Sequence, residues 1–255
     1  MKLIDTHCHI NLKDFDEDFG DVAERIETIL EKVINVGFDL KSSEESVALA
    51  DKYGFIYATV GIHPHDATDY DGLVEEKLRK LAKNQKVLAI GEIGLDYYRN
   101  LSPKEIQKEV FRKQIELAIE INKPVVIHCR DAYEDTINIL KEYKEVKGIL
   151  HSYSGSYETA KILMDRFYFS ISGPVTFKNA TSLREMVSKL PIEKILVETD
   201  SPYLTPDPFR GKRNEPCYVE YVAKMVAEIK GVTYEEIVKI TNENTKRAFE
   251  MEAGV

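Results

Sequence analysis

The sequence predicts a (β/α)₈ barrel, a closed ring of eight parallel strands with helices outside it. Three observations carry the prediction. Eight short runs rich in β-branched residues alternate with longer helical patterns along all 255 residues. The runs are almost continuously apolar, as suits strands buried on both faces. All six histidines fall at or just after the ends of those runs. One barrel of this kind uses about 250 residues.

In chain order the strand-like runs are Leu3–His7, Lys32–Gly37, Ile56–Ile62, Val87–Glu92, Pro124–His128, Gly148–His151, Tyr168–Ser172 and Lys194–Asp200. Helical segments separate them. Ser42-Ser43-Glu44-Glu45 reads as a capping box, with Ser42 on a first-turn amide and Glu45 reaching back. Ser102-Pro103-Lys104-Glu105 opens the helix that carries Ile106 to Ile121, with proline at the first helical position. Thr233-Tyr234-Glu235-Glu236 opens the last helix by the capping-box device. There is no Gly/Ser linker and no low-complexity stretch, so residues 1–255 read as one domain. A doubly wound open sheet is the alternative fold for the same alternation.

Composition removes several function classes. A net charge of −9 argues against a protein that coats duplex nucleic acid, which must neutralise many phosphates. Three cysteines without C-x-x-C spacing argue against a disulfide framework and for a reducing compartment. The N-terminus lacks a signal peptide's apolar run and no stretch suits a membrane span, so a cytoplasmic protein is expected. No G-x-x-x-x-G-K or G-x-G-x-x-G marks a nucleotide cofactor, and no G-x-S-x-G marks a serine nucleophile.

The histidines carry the chemistry. His7 and His9 follow the first run, His63 and His65 the third, His128 the fifth and His151 the sixth. In a barrel these ends share the face where active sites form. His7 and His9 are two apart, so both point to one side of a strand, toward one metal ion. Glu92 ends the fourth run between Gly91 and Gly94, and Asp200 ends the eighth. A carboxylate ending a buried strand needs a compensating cation. Four imidazoles and two carboxylates exceed one four-coordinate site. Two divalent ions sharing a carboxylate would use all six, and mixed ligation of this kind suits Zn, Mn, Ni, Co or Mg. Cys8 and Cys129, beside ligand histidines, point the other way and read as packing residues.

These motifs in order resemble the TatD family of metal-dependent deoxyribonucleases, within the amidohydrolase-like barrels. The matching segments are Ile4-Asp5-Thr6-His7-Cys8-His9, Val60-Gly61-Ile62-His63-Pro64-His65, Ile90-Gly91-Glu92-Ile93-Gly94-Leu95-Asp96-Tyr97, Val126-Ile127-His128-Cys129-Arg130-Asp131-Ala132, Leu150-His151-Ser152-Tyr153-Ser154-Gly155 and Glu198-Thr199-Asp200-Ser201-Pro202-Tyr203-Leu204, with Asn242-Glu243-Asn244-Thr245 near the end. The resemblance implies that His7, His9, Glu92 and Asp200 hold one metal and that Glu92, His128 and His151 hold the other, Glu92 bridging. Glu92 stands where phosphotriesterase-type relatives use a carbamylated lysine. The implied reaction is 3′→5′ trimming of single-stranded DNA, and of RNA in some members, by metal-activated water, with Asp200 taking the water's proton and His63 meeting a substrate phosphate.

Further substrate contacts are expected from the residues themselves. Arg210, Lys212 and Arg213 cluster in the loop after the last run, and Arg130 follows His128. Arginine grips phosphate with paired bonds. Tyr97, Tyr203 and Phe209 are candidates to stack bases of a single strand. His65 is either a surface residue or a phosphate contact. The same metals would also serve an ester or amide hydrolase, such as an aminoacyl ester deacylase, and a non-catalytic metal-stabilised scaffold is the third reading. A monomer is expected.

Overall fold

The computed structural model describes residues 1–251. Eight strands form one sheet in the order β1 to β8, every neighbouring pair parallel. They are β1 Ile4–Cys8, β2 Lys32–Val36, β3 Ile56–Val60, β4 Val87–Asp96, β5 Val125–Arg130, β6 Gly148–Leu150, β7 Phe167–Ile171 and β8 Ile195–Val197. The helices are α1 Phe19–Ile29, α2 Leu40–Lys52, α3 Gly72–Leu81, α4 Lys104–Glu120, α5 Tyr133–Glu142, α6 Tyr157–Leu163, α7 Thr181–Lys189, α8 Val219–Lys230 and α9 Tyr234–Ala248. This is the (β/α)₈ barrel. All eight expected strands are present, each within a few residues of its run. Helix α2 starts earlier than the Ser42 capping box would have it. Asp39 is its cap, accepting from the Ser42 amide, while the Ser42 hydroxyl accepts from the Asp39 amide. Helix α4 begins at Lys104, with Pro103 at the cap position and not inside. Thr233 and Glu236 form the expected reciprocal cap of α9.

Strand β8 meets β1 through a single bridge, Cys8 to Ser201, and not through a full ladder. Side chains complete the seam. Asp5 accepts from the Thr199 amide at 2.9 Å and the Thr199 hydroxyl at 2.6 Å. Thr6 donates to the Val197 carbonyl, the Asp200 amide to His7 and the His9 amide to Ser201. From α9, Asn242 binds the Ile4 amide and Lys2 carbonyl, and Asn244 the carbonyls of Ile192 and Ile195. The helix thereby ties together the starts of β1 and β8. One apolar cluster packs strands against helices. A smaller one, Ile34, Val36, Tyr57, Ala89, Val126, Ile149 and Leu196, closes on Phe249 at the end of α9.

Candidate metal centre and active site

Local backbone irregularities aim the functional side chains. The β1–β2 register shifts between Asp5 and Cys8, and both ladders of β4 shift, the β4–β5 ladder between Ile90 and Ile93. Such bulges re-aim a side chain next to a site. The Glu92 amide, inside the β4 irregularity, binds the Gly37 carbonyl. Gly94 has φ of +137°, and a Cβ there would stand 2.0 Å from the His128 carbonyl, so only glycine allows β4 to lie this close to β5. Asp200 takes left-handed φ of 58°, which aspartate tolerates better than most residues.

Two donor sets converge on Glu92. On one side, His7 Nε2 and His9 Nε2 stand 3.4 and 3.8 Å from Glu92 Oε2. They lie 3.6 and 3.4 Å from Asp200 Oδ1 and 3.2 Å from each other. Four donors bound at ~2.0–2.2 Å to one tetrahedral ion stand roughly 3.3–3.6 Å apart, so this set has the size a cation needs. On the other side, His128 Nδ1 and His151 Nε2 lie 3.0 and 2.9 Å from Glu92 Oε1 and 3.2 Å from each other. Three protein donors of this kind leave a position open for water or substrate.

Acceptors behind three of the rings favour the outer nitrogen as the proton carrier. His9 Nδ1 faces the Val36 carbonyl at 2.9 Å, which only accepts, so Nδ1 is the protonated nitrogen and Nε2 is free. His128 Nε2 meets Asp96 Oδ2 at 3.1 Å, and His151 Nδ1 meets Glu198 Oε1 at 3.2 Å. With those outer nitrogens donating, the inner nitrogens of these three histidines turn lone pairs to Glu92 or Asp200, while the outer nitrogen of the fourth, His7 Nδ1, has no partner among the described residues. Lone pairs facing carboxylates repel unless a cation lies between them. Carboxylate or carbonyl behind imidazole is also how metal-ligating histidines are oriented. The residues present therefore fit divalent cations.

The electrostatics agree. Burial opposes ionisation of Glu92, but the neighbouring His151 and His63 and the bonds from His128 and His151 outweigh it, holding the carboxyl well below the glutamate range. Burial opposes ionisation of Asp200 too, and the His9 bond with the charges of His151 and His7 again prevails. Burial would lower His9, His128 and His151, yet their carboxylate partners raise all three. Either a proton or a metal ion answers that demand.

His63 differs. Its Nδ1 accepts the His65 amide at 3.1 Å, so Nε2 bears the proton and points toward Glu92 Oε1 at 3.5 Å. Burial, with the charge of His128 beside it, pushes His63 down to about 4. It is a neutral N–H donor at the edge of the centre. His65 Nε2 lies 2.9 Å from Asp96 Oδ2, so it braces the carboxylate behind His128.

The structure thus brings His7, His9, His63, Glu92, His128, His151 and Asp200 together. Tyr203 is exposed beside His9, ring centroids 6.3 Å apart. Arg130 stacks on Tyr98 with its guanidinium carbon 3.9 Å from the ring centroid, and Arg210 on Phe177 at 3.7 Å. Arg213 is turned to Asp18, with paired bonds at 2.7 Å, and to the Asp14 carbonyl. Tyr97 binds Asp135 through its hydroxyl and Phe209 stacks on Tyr218, which occupies both. Cys8 is buried, and burial pushes the Cys129 thiol up to about 12, as suits packing residues. Sequence reasoning missed Asp96, Glu198 and Tyr98. The first two lay inside motifs already singled out, but only their distances to His128 and His151 reveal what they do.

Imidazoles and carboxylates gathered at the mouth of a parallel barrel define the class, a metal-dependent hydrolase. A family model described as TatD related DNase matches residues 4–250, and the chain belongs to that family. It is 50% identical to an uncharacterised metal-dependent hydrolase, YabD, of Bacillus subtilis, over 97% of this chain and 98% of the relative. It is 34% identical to the 3′-5′ ssDNA/RNA exonuclease TatD of Escherichia fergusonii, over 97% and 98% of the two chains. The crystal structure of YjjV, a TatD homologue from Escherichia coli, superposes with a TM-score of 0.91 at 28% identity, covering 98% of each chain. Among the described residues no helix is long and apolar enough to cross a membrane.

Proposed function

We propose that this hydrolase cleaves phosphodiester bonds of single-stranded DNA, trimming from the 3′ end, with RNA as a second substrate. In this reading His7, His9, Glu92 and Asp200 hold one divalent cation, and Glu92, His128 and His151 hold a second. Bound there, the two ions would supply Lewis-acid charge to the phosphoryl oxygens and lower the pKa of a nearby water. Asp200, ionised at the mouth, takes the proton of the attacking water. His63 donates its Nε2–H to a phosphoryl oxygen, a bond that strengthens as charge builds there. Tyr203, on the rim beside Asp200, stacks a base. Every one of these groups comes from one chain, so a monomer suffices.

The observation that carries the reading is the state of the rim arginines. The protein is acidic, and Arg25, Arg79, Arg112 and Arg213 are all paired with carboxylates. Arg130, at the end of β5, and Arg210, in the loop after β8, are exposed at the mouth, each braced by an aromatic ring, and neither is paired with a carboxylate among the described residues. Two free guanidiniums flanking a metal centre suit a polyanionic strand better than a small amide or ester. The relative from Escherichia fergusonii named as an exonuclease points the same way.

The test is digestion of 3′-labelled and 5′-labelled oligonucleotides with Mg, Mn or Zn, beside a model ester, an aminoacyl ester and a cyclic amide. Early loss of the 3′ label with stepwise shortening of the 5′-labelled strand is expected. Turnover of an ester or amide with no cleavage of DNA, RNA or a simple phosphodiester would overturn the reading.

A further inference from the structure

Strands β4 and β5 run on beyond the metal donors. Their last ladder pair is Asp96 with Arg130, and the Tyr97 amide binds the Arg130 carbonyl at 2.9 Å. This extension carries Tyr98 and Arg130 to the rim immediately above Asp96, the carboxylate that orients His128. Tyr98 is 60% exposed, and its hydroxyl has no hydrogen-bond partner among the described residues. Arg130 lies over one face of its ring, 3.9 Å from the centroid, and no other aromatic ring or cation packs against it among the described residues. The neighbouring Tyr97 is committed to Asp135 and lies beneath Lys104. Tyr98 is therefore a flat apolar ring with no structural partner except the arginine that stiffens it.

We propose that the open face of Tyr98, with Arg130 behind it, is a stacking seat for one base of the bound strand, close to the cleaved phosphodiester. The inference rests on the nucleic-acid reading above and adds a specificity residue to it. The chemistry on both sides matches. A base offers a π-face to a ring already held still, and the guanidinium edge, with its N–H donors unused, reaches the phosphate next to that base. Tyr203 stands after β8, four strands round the ring from Tyr98. The strand would then be held by a ring on each side of the mouth. Such a seat accepts any base because every base has a π-face, and it favours single strands because a duplex keeps its bases stacked on one another.

The experiment replaces one thymine at a time, over the four residues nearest the 3′ end, with 5,6-dihydrothymine, which is puckered and cannot stack. KM and kcat are measured for the native chain, Tyr98→Ala and Tyr98→Phe. Stacking against an aromatic side chain is worth ~1–3 kcal/mol per base, so a rise in KM of about tenfold is expected at one position. Tyr98→Ala should show that rise on the unmodified strand and no further rise on the modified one. Tyr98→Phe should behave as the native protein. A native enzyme that cleaves unmodified strands but ignores dihydrothymine at every position overturns the seat and leaves the nuclease reading intact. So does a Tyr98→Ala defect of equal size on both strands. Failure to cleave any strand overturns the nuclease reading itself, and the seat with it.

Discussion

The seam between β8 and β1 and the wall between β4 and β5 each deliver part of the proposed metal centre, and they are held by different means. The wall is a ladder, its last pairs running Ile93 to Ile127 and on to Asp96 with Arg130. Its histidine, His128, is steered by a side chain, the carboxylate of Asp96. The seam has one bridge, and its donors His7, His9 and Asp200 stand where the ladder is missing. They are set by backbone bonds across the gap and by the buried carboxylate of Asp5. Past the β4 bulge, where the ladder resumes, a partner side chain suffices to aim His128. Where it is broken, the ligands depend on whatever closes the break.

Glu92 belongs to both regions, one oxygen on each, so changing it should have the largest effect. Glu92→Gln keeps one carbonyl oxygen for one donor set and turns an NH₂ toward the other. A fall in kcat on the order of 10²–10³-fold is expected, a scale set by losing one electrostatic contact to the transition state. Elemental analysis after dialysis should find fewer ions per chain than in the native protein. Two ions retained at native activity would show that Glu92 does not bridge.

Asp5→Asn and Asp96→Asn then separate the seam from the wall. An amide at position 5 confronts the amides of His7 and Thr199 and the Thr199 hydroxyl, all hydrogen-bond donors in this arrangement. Leaving such buried groups poorly paired costs ~1–3 kcal/mol. Asp5→Asn should therefore lower the melting temperature in chelator as well as in metal. Asp96→Asn still offers one oxygen to His128, and loss of an outer-shell partner lowers metal affinity roughly 10–100-fold. With its oxygen on His128 its NH₂ meets the Arg99 amide, so the melting temperature in chelator should fall here too, and the mark that separates it from Asp5→Asn is weaker Mn binding at one of two sites. The reverse pattern would dissolve the distinction between the two regions.

The same contrast explains what the sequence made legible. Strands buried on both faces write themselves as apolar runs, so all eight were readable, and the candidate donors that end such runs, which the structure brings together, were readable with them. His63 was set apart from the metal donors by the resemblance, and its Nδ1 accepting the His65 amide adds which nitrogen carries the proton. The Ser42 box misplaced the start of α2 because Asp39 uses the same local chemistry three residues earlier. Closure of the barrel was the least legible feature. Asp5 with Thr199, and Asn242 and Asn244 with β1 and β8, act across the full length of the chain. Arg213 stood in a basic triplet, and nothing local to that triplet told of Asp18, 195 positions away.

Arg213 gives the smallest expected effect, at the outer edge of the seam. Its guanidinium holds Asp18 by two bonds and lies over the Phe15 ring, pinning the loop after β8 to the segment after β1. The Arg213 bond is the largest influence on Asp18 and draws its carboxyl below the usual range. A carboxyl with a depressed folded-state pKa stabilises the fold above its unfolded pKa, and the contribution fades as pH falls through the folded value. The pair is about one-third exposed and solvent screens it, so its worth is ~0.2–1 kcal/mol. Arg213→Ala should lower stability by that much at pH 7, less in high salt, and by a smaller margin once the pH falls below the ordinary aspartate range and Asp18 becomes protonated. Strand affinity should change less than in Arg130→Ala or Arg210→Ala, because Arg213 has no donor pair to spare for a phosphate. If Arg213→Ala instead raises KM on DNA the most of the three, with stability unchanged, then Asp18 is only a resting partner and the seam loop takes hold of the substrate itself.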